Sequence, residues 1–176
     1  MSIVSDIEKL KKEKNAVILA HYYVDEDVQD IADYIGDSFY LSKVATKVDQ
    51  DRIIFAGVEF MGESAKILNP DKRVFMPDMN ADCPMAHMAD KDEILKLREE
   101  YDDLAVVCYI NSTAELKKYS DVCVTSSNAV KIVKNLPNKN IFFSLSDNLI
   151  FSFIFVVTPK CIAHDGIFIS PFFEKA

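Results

Sequence analysis

Glycine is scarce in this 176-residue chain, with four in all and none in a GxGxxG or P-loop arrangement. A glycine-rich phosphate cradle is therefore excluded as the source of any anion site. There are four cysteines and no CxxC pair, so a paired-cysteine motif is excluded too. Positive charge is also short: 20 Lys and Arg stand against 28 Asp and Glu, a net charge of −8. That balance argues against a nucleic-acid partner, which needs a basic face. No apolar run approaches the ~20 residues of a membrane span; the longest, Leu149 to Val157, is nine residues. The opening segment, Met1 to Asn15, is charged and amphipathic, without the apolar stretch of a secretion signal. A cytoplasmic location with no membrane partner is expected. The cysteines are then expected as reduced thiols, available to a metal or cluster rather than to disulfides.

What remains is ordinary in bulk and patterned in detail. Hydrophobic residues make up 49% and charged residues 27%, enough for one domain with a sizeable core or two small ones. Ala16-Val17-Ile18-Leu19-Ala20 is an apolar run that stops in His21-Tyr22-Tyr23, and an acidic helix start follows at Asp25. The grammar recurs where Ala105 to Cys108 gives way to Tyr109-Ile110-Asn111, and where Val122 to Val124 gives way to Thr125-Ser126-Ser127. Further strands are predicted over 52–56, 73–75 and 140–143. Helices are predicted over 3–10, 28–34 (stopped by Gly36), 38–45, 61–68, 92–101, 113–119 and 128–136. The βαβα order implies parallel sheets flanked by helices. The fold class read from this is α/β, as two consecutive three-layer α/β/α modules over 1–80 and 81–143. The tail, 144–176, is rich in phenylalanine and lacks the rhythm.

In open parallel sheets, ligands sit beyond the carboxyl ends of the strands. The strand-end residues are therefore the site candidates, and they are expected to converge on one site. His21 and Tyr23 can exchange protons or hold carboxylate oxygens, although a histidine there also serves as a local cap. Ser38 and Ser126 each precede a helix and can present a hydroxyl at its positive end, or act as a plain N-cap. The Asn111-Ser112-Thr113 turn carries the same two readings, and Tyr109 at its strand end is either a site residue or a core aromatic with its hydroxyl tied to backbone. Cys83, in an Asp-Cys-Pro loop, is free to ligate. Cys108 and Cys123 lie within strands and read as small buried hydrophobes. Cys161 and His164 form a Cys-x-x-His pair in the tail.

Together these segments resemble the quinolinate synthase family. The resemblance is carried by His21-Tyr22-Tyr23-Val24, by Val28 to Ser38, by Phe55-Ala56-Gly57-Val58, and by Glu63 to Leu68. It continues through Pro77-Asp78 with Ala81 and Cys83, Tyr109-Ile110-Asn111-Ser112, and Val124 to Ala129, in family order up to about residue 143. It implies an iron–sulfur enzyme of NAD biosynthesis, similar to three α/β modules about a pseudo-threefold axis with the active site at their junction. There a [4Fe–4S] cluster is held by three cysteines, and its fourth iron binds substrate as a Lewis acid. The implied substrates are iminoaspartate and dihydroxyacetone phosphate, and the enzyme that supplies iminoaspartate is the implied functional partner. The resemblance makes Cys83 a cluster ligand. It makes His21, Ser38, Tyr109, Asn111 and Ser126 substrate-binding residues, with His21 and Tyr23 catalytic.

Past Phe143 the resemblance fades to an echo in Asp147-Asn148-Leu149. Cys161 has the spacing to His164 of the family's second cysteine but comes too early in the order. A third module and third cysteine are absent from this chain. The expectation is a truncated quinolinate synthase, inactive by itself. The alternative is a non-catalytic α/β remnant with at most weak dicarboxylate binding.

Overall fold

The structure, a computed structural model, describes residues 2–87 and 89–144. The aromatic tail, with Cys161 and His164, lies outside the described residues. The chain divides into two compact units, Met1–Cys83 and a second that begins at Pro84.

Unit 1 runs α1 (Ile3–Glu13), β1 (Ala16–His21), α2 (Glu26–Gln29), β2 (Tyr34–Gly36), α3 (Ser38–Ala45), β3 (Arg52–Ala56), α4 (Glu59–Leu68) and β4 (Arg73–Phe75). Its four strands form one parallel sheet in the order β2-β1-β3-β4. Val17 to His21 are all buried, so β1 forms the centre of the core. A strand covered on both faces reads as a continuous apolar run rather than an alternating one. Asp37 caps α3 as the sequence implies, its carboxylate accepting from the Tyr40 N–H at 2.7 Å.

The helix predicted over 28–34 is corrected. Only Glu26–Gln29 is helical, and Tyr34–Gly36 is strand β2, paired with Leu19, Ala20 and His21. Asp33 decides the matter. Its N–H donates to the Ile18 carbonyl (2.9 Å), and its carboxylate accepts the Ile18 N–H (2.8 Å). The chain is thereby drawn beside β1 before the helix can propagate. Four residues are in any case too few for a helix to persist on local energetics.

Unit 2 opens with a 3-10 turn (Pro84–His87). It continues with α5 (Lys91–Glu100), β5 (Leu104–Tyr109), α6 (Ala114–Lys118), β6 (Val122–Val124), α7 (Ala129–Asn135) and β7 (Asn140–Ser144). The parallel sheet has the order β6-β5-β7. Ile94, Leu104, Val106, Cys108, Leu116 and Phe142 make one cluster, with Leu97 beside it. Ala105, Val107, Val124 and Ile141 make the other, with Ile132 and Val133 of α7. Helices α5 and α6 thus cover one face of the sheet and α7 the other, giving three layers.

The two units repeat one another at a constant offset. Leu19, Ala20 and His21 pair with Tyr34, Ile35 and Gly36; Val107, Cys108 and Tyr109 pair with Val122, Cys123 and Val124. Each member of the second set lies 88 residues after its counterpart, as from His21 to Tyr109. The pairing of β1 with β3 (Ala16 to Arg52) recurs at the same offset as Leu104 to Asn140. Local bonds follow suit. The Asp121 N–H donates to the Val106 carbonyl (2.9 Å), and the Val106 N–H to the Asp121 carboxylate (2.7 Å), as Asp33 and Ile18 do in unit 1. In both units a helix cation completes the arrangement: Lys11 with Asp33 at 2.8 Å, and Arg98 with Asp121 at 2.9 Å. Among the described residues no helix is long and apolar enough to cross a membrane.

Candidate active site

The duplication sorts the candidate residues into matched sets. His21 corresponds to Tyr109, Tyr23 to Asn111, and Ser38 to Ser126, each pair 88 positions apart. Each set has one residue at the end of the central strand, one two residues later, and one two residues past the end of the adjacent short strand.

In unit 1 the strand end is aromatic. The His21 ring stacks on Tyr22 (centroids 4.5 Å apart) and meets Tyr23 edge-on (4.7 Å). His21 is 6% exposed and Tyr23 80%, so one polar ring is held inside while the phenol stands in solvent. Burial lowers the His21 pKa below 6.5, and the Asp37 charge opposes this. The ring is therefore neutral at pH 7. Its Nδ1 accepts the Tyr23 backbone N–H at 3.3 Å, which puts the ring proton on Nε2. His21 can thus present an N–H donor to an oxygen. Gly36 stands opposite His21 in the sheet, and a Cβ there would come within 2.3 Å of the Tyr40 ring. Ser38 is the first residue of α3, directly after the acidic cap Asp37.

Unit 2 joins two of the candidates directly. The Tyr109 and Ser126 hydroxyls lie 3.1 Å apart. Ser126 sits in the turn before α7, whose cap is Asn128, rather than within the helix as Ser38 does. The Asn128 carboxamide oxygen accepts the Thr125 N–H (2.7 Å), and Thr125 Oγ1 lies 2.9 Å from Ser127 Oγ, which fixes this turn. Asn111 is half-buried two residues past Tyr109, and Ser112 beside it is buried.

Cys83 is half-exposed on the segment that closes unit 1, where its N–H donates to the Asp82 carboxylate at 2.7 Å. Cys108 is buried as expected, whereas Cys123 is only half-buried because β6 is an edge strand. Among the described residues no group of three or more His, Cys, Asp or Glu is placed to hold a metal ion. Of the described cysteines, Cys83 lies outside helices and strands, while Cys108 and Cys123 lie within β5 and β6.

Two participants were not singled out from the sequence. The Tyr22 ring packs against both His21 and Tyr23, and a hydrogen bond with Tyr23 raises its phenol above the ordinary value. Asp37 supplies the charge felt by His21. The run of three aromatic rings was the available signal for Tyr22. For Asp37 only the fold supplies it.

Residues 5–167 match the family described as Quinolinate synthetase A protein. The chain belongs to the quinolinate synthase family. It is 67% identical over 143 residues to a quinolinate synthase of Fusobacterium nucleatum, covering 81% of this chain and 48% of that protein. It is 52% identical over 176 residues to one of Clostridium perfringens, covering 95% and 58%. A third, from Clostridium novyi, is 56% identical over 162 residues, covering 91% and 54%. The chain spans about half the length of these relatives. The family match extends well past Phe143, where the resemblance in the sequence fades, and Cys161 falls inside the matched span.

Proposed function

We propose that this chain carries part of the substrate site of a quinolinate synthase, a cytoplasmic enzyme of NAD biosynthesis. Its reaction condenses iminoaspartate with dihydroxyacetone phosphate into quinolinate, releasing phosphate and water. The observation that carries the reading is the Tyr109–Ser126 hydroxyl pair in a chain of this family. The two O–H groups share one hydrogen bond, which leaves a second O–H to aim at an incoming oxygen. With the Asn111 carboxamide close by in sequence, this is a donor set suited to a carboxylate. Unit 1 has a donor set of its own at the corresponding place, the His21 Nε2–H and the Ser38 hydroxyl at the start of α3. Hydroxyls, an amide and a neutral imidazole hold an anion without a cation, consistent with the net charge of −8. The exposed Tyr23 phenol is the group in reach of a proton transfer. A [4Fe–4S] cluster would supply Lewis-acid chemistry for dehydration, with Cys83 as one ligand. The enzyme that supplies iminoaspartate is the functional partner.

Calorimetric titration with malate, a stable dicarboxylate, tests the reading. A hydrogen bond to a charged group contributes about 1.5 kcal/mol or more, so Tyr109→Phe and Asn111→Ala should each weaken binding about tenfold. No binding by the unsubstituted chain, or equal binding by the variants, would show the site to be elsewhere.

A further inference from the structure

Cys108 on β5 and Cys123 on β6 are register partners in adjacent parallel strands. Both pack into the same cluster, with Ile94, Leu116 and Phe142, so their side chains leave the sheet on one face. Neighbouring strands lie about 4.8 Å apart, within the Cα separations a disulfide bridges. We propose that Cys108 and Cys123 form a redox pair that hydrogen peroxide closes into a strand-to-strand disulfide. The role is separate from substrate binding and from cluster ligation.

The surroundings favour the chemistry. Cys108 is buried while Cys123 is half-buried, so Cys123 is the sulfur of the pair nearer to solvent. Cys108 Sγ lies 3.3 Å from the Tyr109 carbonyl oxygen. A hydrogen bond from Cys123, joined by bonds from Ser112 and Ser120, favours the Cys108 thiolate and lowers its pKa to about 6 against the opposing effect of burial. The hydrogen bond to Cys108, with burial, raises that of Cys123. One proton is in effect held between two sulfurs. In the reaction, one thiolate attacks a peroxide oxygen, the O–O bond breaks, and a sulfenic acid and hydroxide result. The neighbouring thiol then attacks that sulfur, the S–S bond forms, and the hydroxyl leaves as water with the thiol proton. Two electrons pass from the sulfurs to the peroxide, whose oxygens leave as one water and one hydroxide, and the hydroxide becomes a second water by taking up the proton that the first thiol gave to solvent on ionising. The new bond ties edge strand β6 to central strand β5.

The test is peptide mapping. The reduced chain is treated with a few equivalents of hydrogen peroxide, blocked with N-ethylmaleimide and digested with trypsin. Lys117 and Lys118 separate the two cysteines, so the disulfide joins two peptides into a species two hydrogens lighter than their sum, split by dithiothreitol. Oxidation should also raise the unfolding temperature, and dithiothreitol should reverse the shift. Cys123→Ser should abolish both effects and leave a free or over-oxidised Cys108. Recovery of Cys108 and Cys123 as separate peptides, whether as thiols or as sulfinic acids, while Cys83 is oxidised would overturn the proposal. So would a cross-link that survives in Cys123→Ser.

Discussion

The Tyr109 hydroxyl lies 3.1 Å from the Ser126 hydroxyl, at the place in unit 2 where unit 1 has His21 and Ser38. Ser126 is exposed and Tyr109 half-buried, so the bond competes with water and contributes little to folding. Tyr109→Phe and Ser126→Ala are expected to change stability by less than about 1 kcal/mol each. In a double-mutant cycle read by urea unfolding, the coupling should fall at or below ~0.5 kcal/mol. A loss of several kcal/mol in either variant would make the pair a structural element rather than a site poised for ligand.

The repeated aspartate behaves differently. Asp33 accepts the Ile18 N–H and pairs with Lys11, whose side chain is only 12% exposed. Asp33→Asn removes one of the two carboxylates paired with the Lys11 ammonium, Glu8 at 2.8 Å being the other, and such a loss costs about 2 kcal/mol. Asp121→Asn should cost less, about 1 kcal/mol, because Arg98 is 35% exposed and solvent screens the pair. Burial works against the Lys11 charge, but the bonds to Asp33 and Glu8 outweigh it and hold its pKa above 10.5. A raised lysine stabilises the fold fully below its unfolded pKa and loses that contribution as pH rises through the folded one. The gap in urea midpoint between the parent chain and Asp33→Asn should therefore be constant near neutrality and shrink only above about pH 10.5.

These aspartates also show what the sequence concealed. β1 and β5 were legible because runs such as Val17 to Ala20 and Ala105 to Cys108 are apolar throughout, as strands buried on both faces must be. β2 was not. It has three residues, with Tyr34 and Ile35 partly exposed and no alternation to read. What makes it a strand is a long-range bond from Asp33, which no local pattern reveals. The duplication was legible as rhythm, but its offset was not. Asp33 and Asp121, and Ser38 and Ser126, keep residue type across the units; His21 and Tyr109, and Tyr23 and Asn111, do not. The candidate residues were chosen from their place at strand ends and from the family resemblance. The Tyr109–Ser126 contact needed the fold.

His21 is expected to titrate below the ordinary histidine range. Its pKa is lowered by burial despite Asp37. The folded state then binds its proton less readily than the unfolded chain. The neutral ring's contribution to stability is present above pH 6.5 and lost as pH falls through the folded pKa. Proton NMR of the imidazole resonances, with His21→Gln to assign them, should show the His21 midpoint below 6.5. His21→Gln should also flatten the stability profile below pH 6.5. A His21 midpoint above 6.5 would show that Asp37, not burial, governs the ring, and would remove the basis for a neutral Nε2–H donor.

The last prediction concerns iron. The sequence holds four cysteines, and Cys108 and Cys123 are register partners inside the sheet of unit 2. To ligate an external cluster they would have to leave the core that Ile94, Leu116 and Phe142 complete. Cys83 and Cys161 are the thiols left, and two thiolates do not anchor a [4Fe–4S] cluster, which takes its protein ligands chiefly from cysteines. After anaerobic reconstitution with iron and sulfide, the 176-residue chain should hold well under one cluster per chain. It should make no quinolinate from iminoaspartate and dihydroxyacetone phosphate. Cys83→Ser should lower the residual iron further, while Cys108→Ser should leave it unchanged. Malate binding should survive in Cys83→Ser, since the Tyr109 and Ser126 hydroxyls do not depend on the thiol. Four irons per chain with turnover would mean that a ligand set forms outside the geometry described for unit 1 and unit 2. Equal iron loss in Cys108→Ser would place that set in the β5–β6 pair.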